Sequence, residues 1–445
     1  MSSGGVIEQP RYSCALGSQQ TVLAIPKAHP ILHSGPGCSE RASEFSIQNG
    51  GFQGEGYTGG AHISCTNASQ KEIIFGGAKK LRSTIDGALK VIDADLYVVL
   101  TGCTADIVGD DTIGIAKEYA EEGYPIVGAE TAGFKGNVYY GYREVVKQII
   151  DQFVGNVEPN VRKGVVNVFS VVPYQDPNWQ EDLIIIKDLL TKIGLEVNIL
   201  FGVESKGVSE WKDIPNAEFN ILLSPWVGKE IVKHLEKKYK TPYFSYPYLP
   251  VGAEQTSDFL RKVGEFANIP KDKIEEVIKQ EEKVYYNYFS KIVEYIEVYR
   301  EDMPFLYATV ADANYSLGVS DFLTEELGMI PQGVYIVDDV KESLHEEIAG
   351  HLINKNDIYK DRIHFEPDGG LVQKSIKEHI DDERELPTDK VLILGSTWEK
   401  YYAEKTNNRY IPLSLPLKQS VVLNRSYAGY RGGINLLREI VNLVF

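Results

Sequence analysis

Short apolar runs alternate with amphipathic stretches along nearly the whole chain. EIIFGGAKKLRSTIDGALKVI (72–92) carries helical periodicity after a turn. ADLYVVLTG (94–102) is an apolar run of strand length, DDTIGIAKEYAEEG (110–123) returns to helical spacing, and YPIVGAET (124–131) is apolar again. Strand–helix–strand order of this kind predicts a parallel sheet covered by helices on both faces.

The pattern then restarts twice. After a loop near 157–163, GVVNVFSVV (164–172) reads as a strand and WQEDLIIIKDLLTKIG (179–194) as an amphipathic helix ending on glycine. LEVNILF, FNILLSP and TPYFSYPY are further strands, with the helix VGKEIVKHLEKKY before the last. Residues 256–300 read as a helical connector whose YYNYF segment is a packing face. The second restart runs from PFLYATV (304–310) through a helix around 316–327, GVYIVDD, a helix into His351, DRIHFEP and a helix from Leu371 to KVLILGS (390–396). A final helix, GGINLLREIVNLVF, closes it, and Ser396 reads as a loop or capping residue. Three α/β units are expected, at 1–160, 161–300 and 301–445, each a mostly parallel sheet flanked by helices. The glycine-rich NGGFQGEGYTGG (49–60) reads as a flexible loop.

At 445 residues the chain is too long for one ordinary domain, which agrees with three units. No apolar run is long enough to span a bilayer, and the start, MSSGGVIEQPRYS, has no secretory-signal pattern. A cytoplasmic protein is expected. The net charge is −17, from 63 acids against 46 bases, which disfavours binding nucleic acid through its phosphates. Neither GxxxxGK(S/T) nor a GxGxxG between strand and helix occurs, so no nucleotide loop is expected here.

The cysteines change the picture. Cys14, Cys38, Cys65 and Cys103 all fall in the first quarter, and none follows. Cys103 lies just past the carboxyl end of an apolar strand, where ligands gather in parallel sheets. Cys38 in SGPGC and Cys14 in CALGS sit in turns that expose backbone N–H groups able to donate to cluster sulfurs. No CxxC pair is present, which argues against a zinc ribbon or a dithiol redox site. Three separate loops suit an iron–sulfur cluster, and a cubane prefers four thiolates. Either Cys65 in HISCTNAS supplies the fourth, or the cluster is shared with another chain. His33 and His62 lie near the cysteines in sequence; packing roles are the simpler reading. Asp110 and Asp111 read as the start of the next helix.

QPRYSCALGS, HSGPGCSE, ISCTNASQKEIIFGGAKKL, TGCTADIVGDD, ETAGFKGNVYYGY, LPVGAEQTSDFLRKV and RSYAGYRGGINLLREIVN, in that order, resemble component 1 of nitrogenase and its relatives. The resemblance implies three Rossmann-like domains. It implies that Cys14, Cys38 and Cys103 hold half of an interfacial iron–sulfur cluster (8Fe–7S or 4Fe–4S, P-cluster-like), with the partner chain supplying the rest. Cys65 matches a position that is not generally a ligand. The partner would be a homologous α-type subunit or a second copy of this chain, and an ATP-dependent iron protein would deliver electrons. The mid-chain Cys and late His that hold the α-type cofactor have no counterpart, since the last histidine is His379. The serine that β subunits offer near the cluster would fall where this chain has Ala132 and Gly133. A β-like subunit of a nitrogenase-like reductase is therefore expected. The substrate stays open between N2, a tetrapyrrole and another small unsaturated or thioether compound. A cofactor-assembly scaffold of the same family is the alternative, and a redox-inactive structural subunit the least favoured.

Overall fold

The computed structural model describes residues 7, 11–44, 48–51, 63–381, 390–418 and 420–444. The first sheet contains β1 (Ala28–His33), β2 (Ser64–Cys65), β3 (Leu96–Thr101) and β4 (Ile126–Ala129), in the order β2-β1-β3-β4. The second contains β5 (Arg162–Phe169), β6 (Glu196–Asn198), β7 (Ala217–Leu223) and β8 (Tyr243–Tyr246), in the order β6-β5-β7-β8. The third contains β9 (Leu306–Ala311), β10 (Ile330–Ile336), β11 (Ile363–Phe365), β12 (Val391–Gly395) and β13 (Arg409–Pro412), in the order β11-β10-β9-β12-β13. Their strand pairs are parallel and helices flank them, so the expected class, α/β with three Rossmann-like domains, is the one observed. Parallel strands place all their carboxyl ends at one edge of the sheet, where the connecting loops can meet.

β1 and β3 are buried at every position because helices cover both faces of their sheet. One continuous buried cluster joins the three sheets, with Leu100, Ile221 and Val334 among its members. Each fully buried aliphatic side chain contributes roughly 1.5–3 kcal/mol.

Several local expectations are revised. The periodic stretch 72–92 divides into helices Gln70–Phe75 and Ala78–Val91, with Gly76 at φ +86° between them. The helical connector likewise divides into Gly252–Phe266 and Lys271–Val298, broken by Asn268 at φ +53° and by Pro270. β1, AHPILH, gave no strand signal because two histidines and Pro30 interrupt its apolar run. It becomes a strand through pairing with β3 along its whole length. Tyr285 is buried against Phe289 and Tyr430, which is the packing role expected of YYNYF. The 49–60 loop lies almost wholly outside the described residues, as does His62.

Candidate functional site

The carboxyl edge of the first sheet carries three of the cysteines, Cys65 at the end of β2 and Cys38 and Cys103 at the start of the helices that follow β1 and β3, and the segment before β1 brings the fourth. Cys14 stands ahead of a short turn, Ala15–Ser18, and is exposed. Its segment is tied down on both sides: Ala15 N–H donates to Gly136 O at 2.9 Å and Val138 N–H to Ser13 O at 2.9 Å. Arg11 anchors the same segment to the third sheet. It donates to Glu399 Oε1 at 2.6 Å, Glu399 Oε2 at 3.1 Å and Ser396 Oγ at 2.8 Å, with both charged side chains fully buried. Ser396 and Glu399 also form the capping box of the helix Thr397–Lys405, so Ser396 is the capping residue its setting suggested.

Cys103 does not lie in an extended loop, as its place after the strand suggested; it is the first residue of a helix, Cys103–Val108. Gly133 N–H donates to its Sγ at 3.1 Å. A Cβ on Gly133 would stand 3.0 Å from Cys14 Sγ and 3.1 Å from Cys103 Sγ. The two sulfurs therefore converge on one glycine, at a place where a side chain would crowd both. Gly102 is similarly constrained, since a Cβ there would run into the Ser34 side chain, and its absence lets the residues after β1 and β3 pack closely.

Ser34 also links this pair to Cys38. Its Oγ–H donates to Cys38 Sγ at 3.5 Å, while Gln19 Nε2–H donates to Cys38 O at 3.2 Å. Cys38 lies on the helix Pro36–Glu44 and is half-buried. Cys65, at the end of β2, donates to Ser34 O at 3.5 Å and Gly35 O at 3.6 Å and accepts from Asn67 N–H at 3.4 Å. It supports the Cys38 loop from beneath. His33 contacts no sulfur: its Nε2 lies 3.0 Å from Asp110 and its Nδ1 3.1 Å from Thr66. Burial lowers its pKa, so it is neutral at pH 7. Asp110 is not the helix start. Asp111 caps the helix Thr112–Glu121 through Gly114 N–H, while Asp110 accepts from His33 and from Gly77 N–H at 2.8 Å.

Cys14 and Cys38 also line a cavity of about 680 Å³, and Cys103 does not. Among the described residues no three His, Cys, Asp or Glu side chains converge tightly enough to chelate a single ion. Behind the cavity, Asp176, Asp312 and Asp338 are buried at the carboxyl ends of the second and third sheets. Burial raises the pKa of each, and the charge of Asp312 on Asp176, and of Asp338 on Asp312, adds to it. Trp226 Nε1–H donates to Asp338 at 2.7 Å. The roles of Gly133, Asp110 and Arg11 carried no local sequence signal, because each acts across a long separation, on Cys103, His33 and Glu399; Ser34 reaches Cys38 only four positions on.

Three parallel sheets flanked by helices, with cysteines gathered at the edge of the first, make up an architecture that known proteins share. The profile of the nitrogenase component 1 type oxidoreductases matches residues 13–445, and the chain belongs to that family. A nitrogenase molybdenum–iron protein alpha chain from Methanosarcina barkeri is 26% identical over 84% of this chain and 74% of its own length. The cofactor biosynthesis protein NifE of Methanococcus maripaludis is 25% identical over 99% of this chain and 83% of its own. A beta chain from the same species is 25% identical, covering 96% and 92%. The fold recurs in a solved structure described as nitrogenase Cp1 at pH 6.5, with a TM-score of 0.78 at 19% identity, covering all of this chain and 94% of that one. Among the described residues no helix is long and apolar enough to cross a membrane.

Proposed function

We propose that this chain is a component 1 subunit of a nitrogenase-like reductase, with Cys14, Cys38 and Cys103 holding half of an interfacial iron–sulfur relay. The single observation behind this reading is the convergence of Cys14 and Cys103 on Gly133, with Cys38 tied to them through Ser34. The donor set suits such a group. Thiolates are its usual ligands, a side-chain-free glycine leaves room beside two of them, and a backbone N–H already points at one sulfur. The spread of the three thiols suits a multi-iron cluster better than a single ion. Cys14 is exposed, which suits a cluster completed by a partner, either a homologous α-type subunit or a second copy of this chain.

When bound, the cluster supplies one-electron transfer between an ATP-dependent iron protein and an active site in the partner. The chain's own part is positional. Arg11 fixes the Cys14 segment, Ser34 and Cys65 fix Cys38, and Gly133 N–H steadies the sulfur of Cys103. A cofactor-assembly scaffold is the second reading, favoured by one observation: NifE matches this chain over as much of its length as the catalytic subunits do.

Anaerobic purification with iron and acid-labile sulfide analysis tests the cluster. Cys103→Ala is expected to lose most of the iron, and unchanged iron content would refute its role. A co-purifying α-like chain with a mid-chain Cys and a late His supports the reductase. Transfer of the cluster to a separate cofactor-free acceptor supports the scaffold.

A further inference from the structure

The helix Lys271–Val298 is about 42 Å long, and its two halves differ. The first packs through Ile274, Ile278 and Tyr285, all buried. From Tyr286 to Val298 no residue is buried, yet the segment is rich in tyrosine, valine and isoleucine. These are indifferent helix formers, and a free helix of this length is marginal, so helical order here calls for packing.

One side of the helix carries Val284, Tyr288, Lys291, Tyr295 and Val298, at successive spacings of four, three, four and three residues. That spacing is the pattern of a helix–helix seam. At about 100° per residue, the seam lies roughly 100° round the helix from the buried stripe of Ile274, Ile278 and Tyr285. Val284, Tyr288 and Val298 are 57%, 51% and 73% exposed, and Lys291 is exposed too. Tyr295 is half-buried and packs against Tyr299, with ring centroids 4.6 Å apart.

The order Val–Tyr–Lys–Tyr–Val reads the same in both directions. A twofold axis beside Lys291 therefore sets Val284 near Val298 of a second copy and Tyr288 near its Tyr295, as an isologous contact requires. The charges suit the same direction. Lys283, near the start of the seam, then lies toward Glu301 and Asp302 of the copy, whereas a parallel copy would oppose like with like. The two Lys291 side chains meet at the axis, where each can turn to Glu294 of the other copy. Glu281 and Glu282 are already engaged within the chain, by Lys192 and Ser257. The helix ends shortly before β9 begins, at the amino edge of the third sheet, whereas the cysteines gather at the carboxyl edge of the first.

We infer that this seam is a twofold interface on which a second copy of this chain packs, with its own helix running antiparallel. The contact is separate from any interface that shares a cluster, and it requires no iron.

A seam about 21 Å long buries less than the roughly 800 Å² per partner of a standard interface, so the association should be weak, with a Kd of about 10 µM. Sedimentation velocity of the anaerobically purified full-length protein, with any co-purifying chain, tests this from about 1 to 100 µM. Iron is measured on the same samples. The mass of the sedimenting unit should double across that range. Tyr288→Glu, at an exposed helix position, should weaken the association about tenfold or more, with helicity and iron content unchanged. Lys291→Glu should weaken it as well, and adding Glu294→Lys should bring it back to within about threefold of the starting protein. A unit of constant mass, association indifferent to Tyr288→Glu, or no recovery in the charge-reversed pair overturns the inference. So does loss of a different co-purifying chain in Tyr288→Glu, because another protein would then cover this face. Cys103→Ala that loses iron but keeps the doubling supports the separate interface; doubling lost together with iron assigns the contact to the cluster instead.

Discussion

Replacing Arg11 with Met isolates the anchor that holds Cys14 in place. Arg11 makes three hydrogen bonds to Glu399 and Ser396 and stacks 4.9 Å from the Trp398 ring centroid, with no exposed side-chain surface on either ion. Met keeps most of the volume but strands the Glu399 carboxylate in a dry site. Removing one partner of a buried pair costs about 3–5 kcal/mol. Much of that should appear locally, as easier opening of the 11–18 segment, because Arg11 is its buried charged link to the third unit, beside Tyr12, which packs against the core of the third sheet. At about 1.36 kcal/mol per factor of ten, exchange of the Ala15 and Val138 amide hydrogens should accelerate roughly a hundredfold or more. Hydrogen exchange with fragment-level mass readout measures this directly. Adding Glu399→Gln should recover at least half of the loss, since Gln can still serve the capping box without a stranded charge. An acceleration below about tenfold in Arg11→Met, or no recovery in the double variant, would show that the pair does not secure the cysteine segment.

Three further outcomes are expected. Gly133→Ala places a methyl 3.0 and 3.1 Å from the Cys14 and Cys103 sulfurs and should lower iron retention; its overpacking cost, about 1–3 kcal/mol, is readable by denaturant titration of the metal-free chain. Asp110→Ala removes the acceptor of His33 and of Gly77 N–H and should destabilise the first sheet by about 1–3 kcal/mol, whereas Asp110→Asn should cost less. Burial pushes the Asp182 carboxyl up to about 6, and Asp176, Asp312 and Asp338 are also raised. The native state then holds more protons than the unfolded chain between about pH 4 and these values, so stability falls as pH rises through that window. From pH 7.5 down to 5.5 Asp182 should contribute a gain of about 1 kcal/mol in the metal-free protein, while His33, His351 and His364, whose pKa values burial lowers, work in the opposite direction. The pH dependence of the thermal midpoint in wild type minus that in Asp182→Asn isolates the Asp182 contribution; no difference between the two would contradict the assignment.

Apolar runs of strand length, such as LYVVL and VLILG, were legible because strands buried on both faces must be apolar throughout. Helices such as 179–192 were legible through their spacing, which follows from burying one stripe. The clustering of all four cysteines near the start of the chain, and the order of the motifs around them, carried the family. Boundaries inside long periodic stretches were not legible, because Gly76 and the Asn268–Pro270 turn interrupt the backbone without interrupting the apolar spacing. Nor was β1, whose strand character comes from its neighbours.

The sequence by itself therefore determined the α/β class, the three repeats of the strand–helix pattern and the clustering of the four thiols near the start of the chain. Only the tertiary structure decided how those thiols are arranged: Cys14 and Cys103 meeting over Gly133, Cys38 joined through Ser34, Cys65 turned to a backbone support. It also revealed that Asp110 serves His33, and that Arg11 reaches 388 positions along the chain to Glu399. Such contacts join residues that share no local pattern. They exist because parallel sheets bring loops distant in sequence to one edge, and burial there rewards only the side chains that fit together.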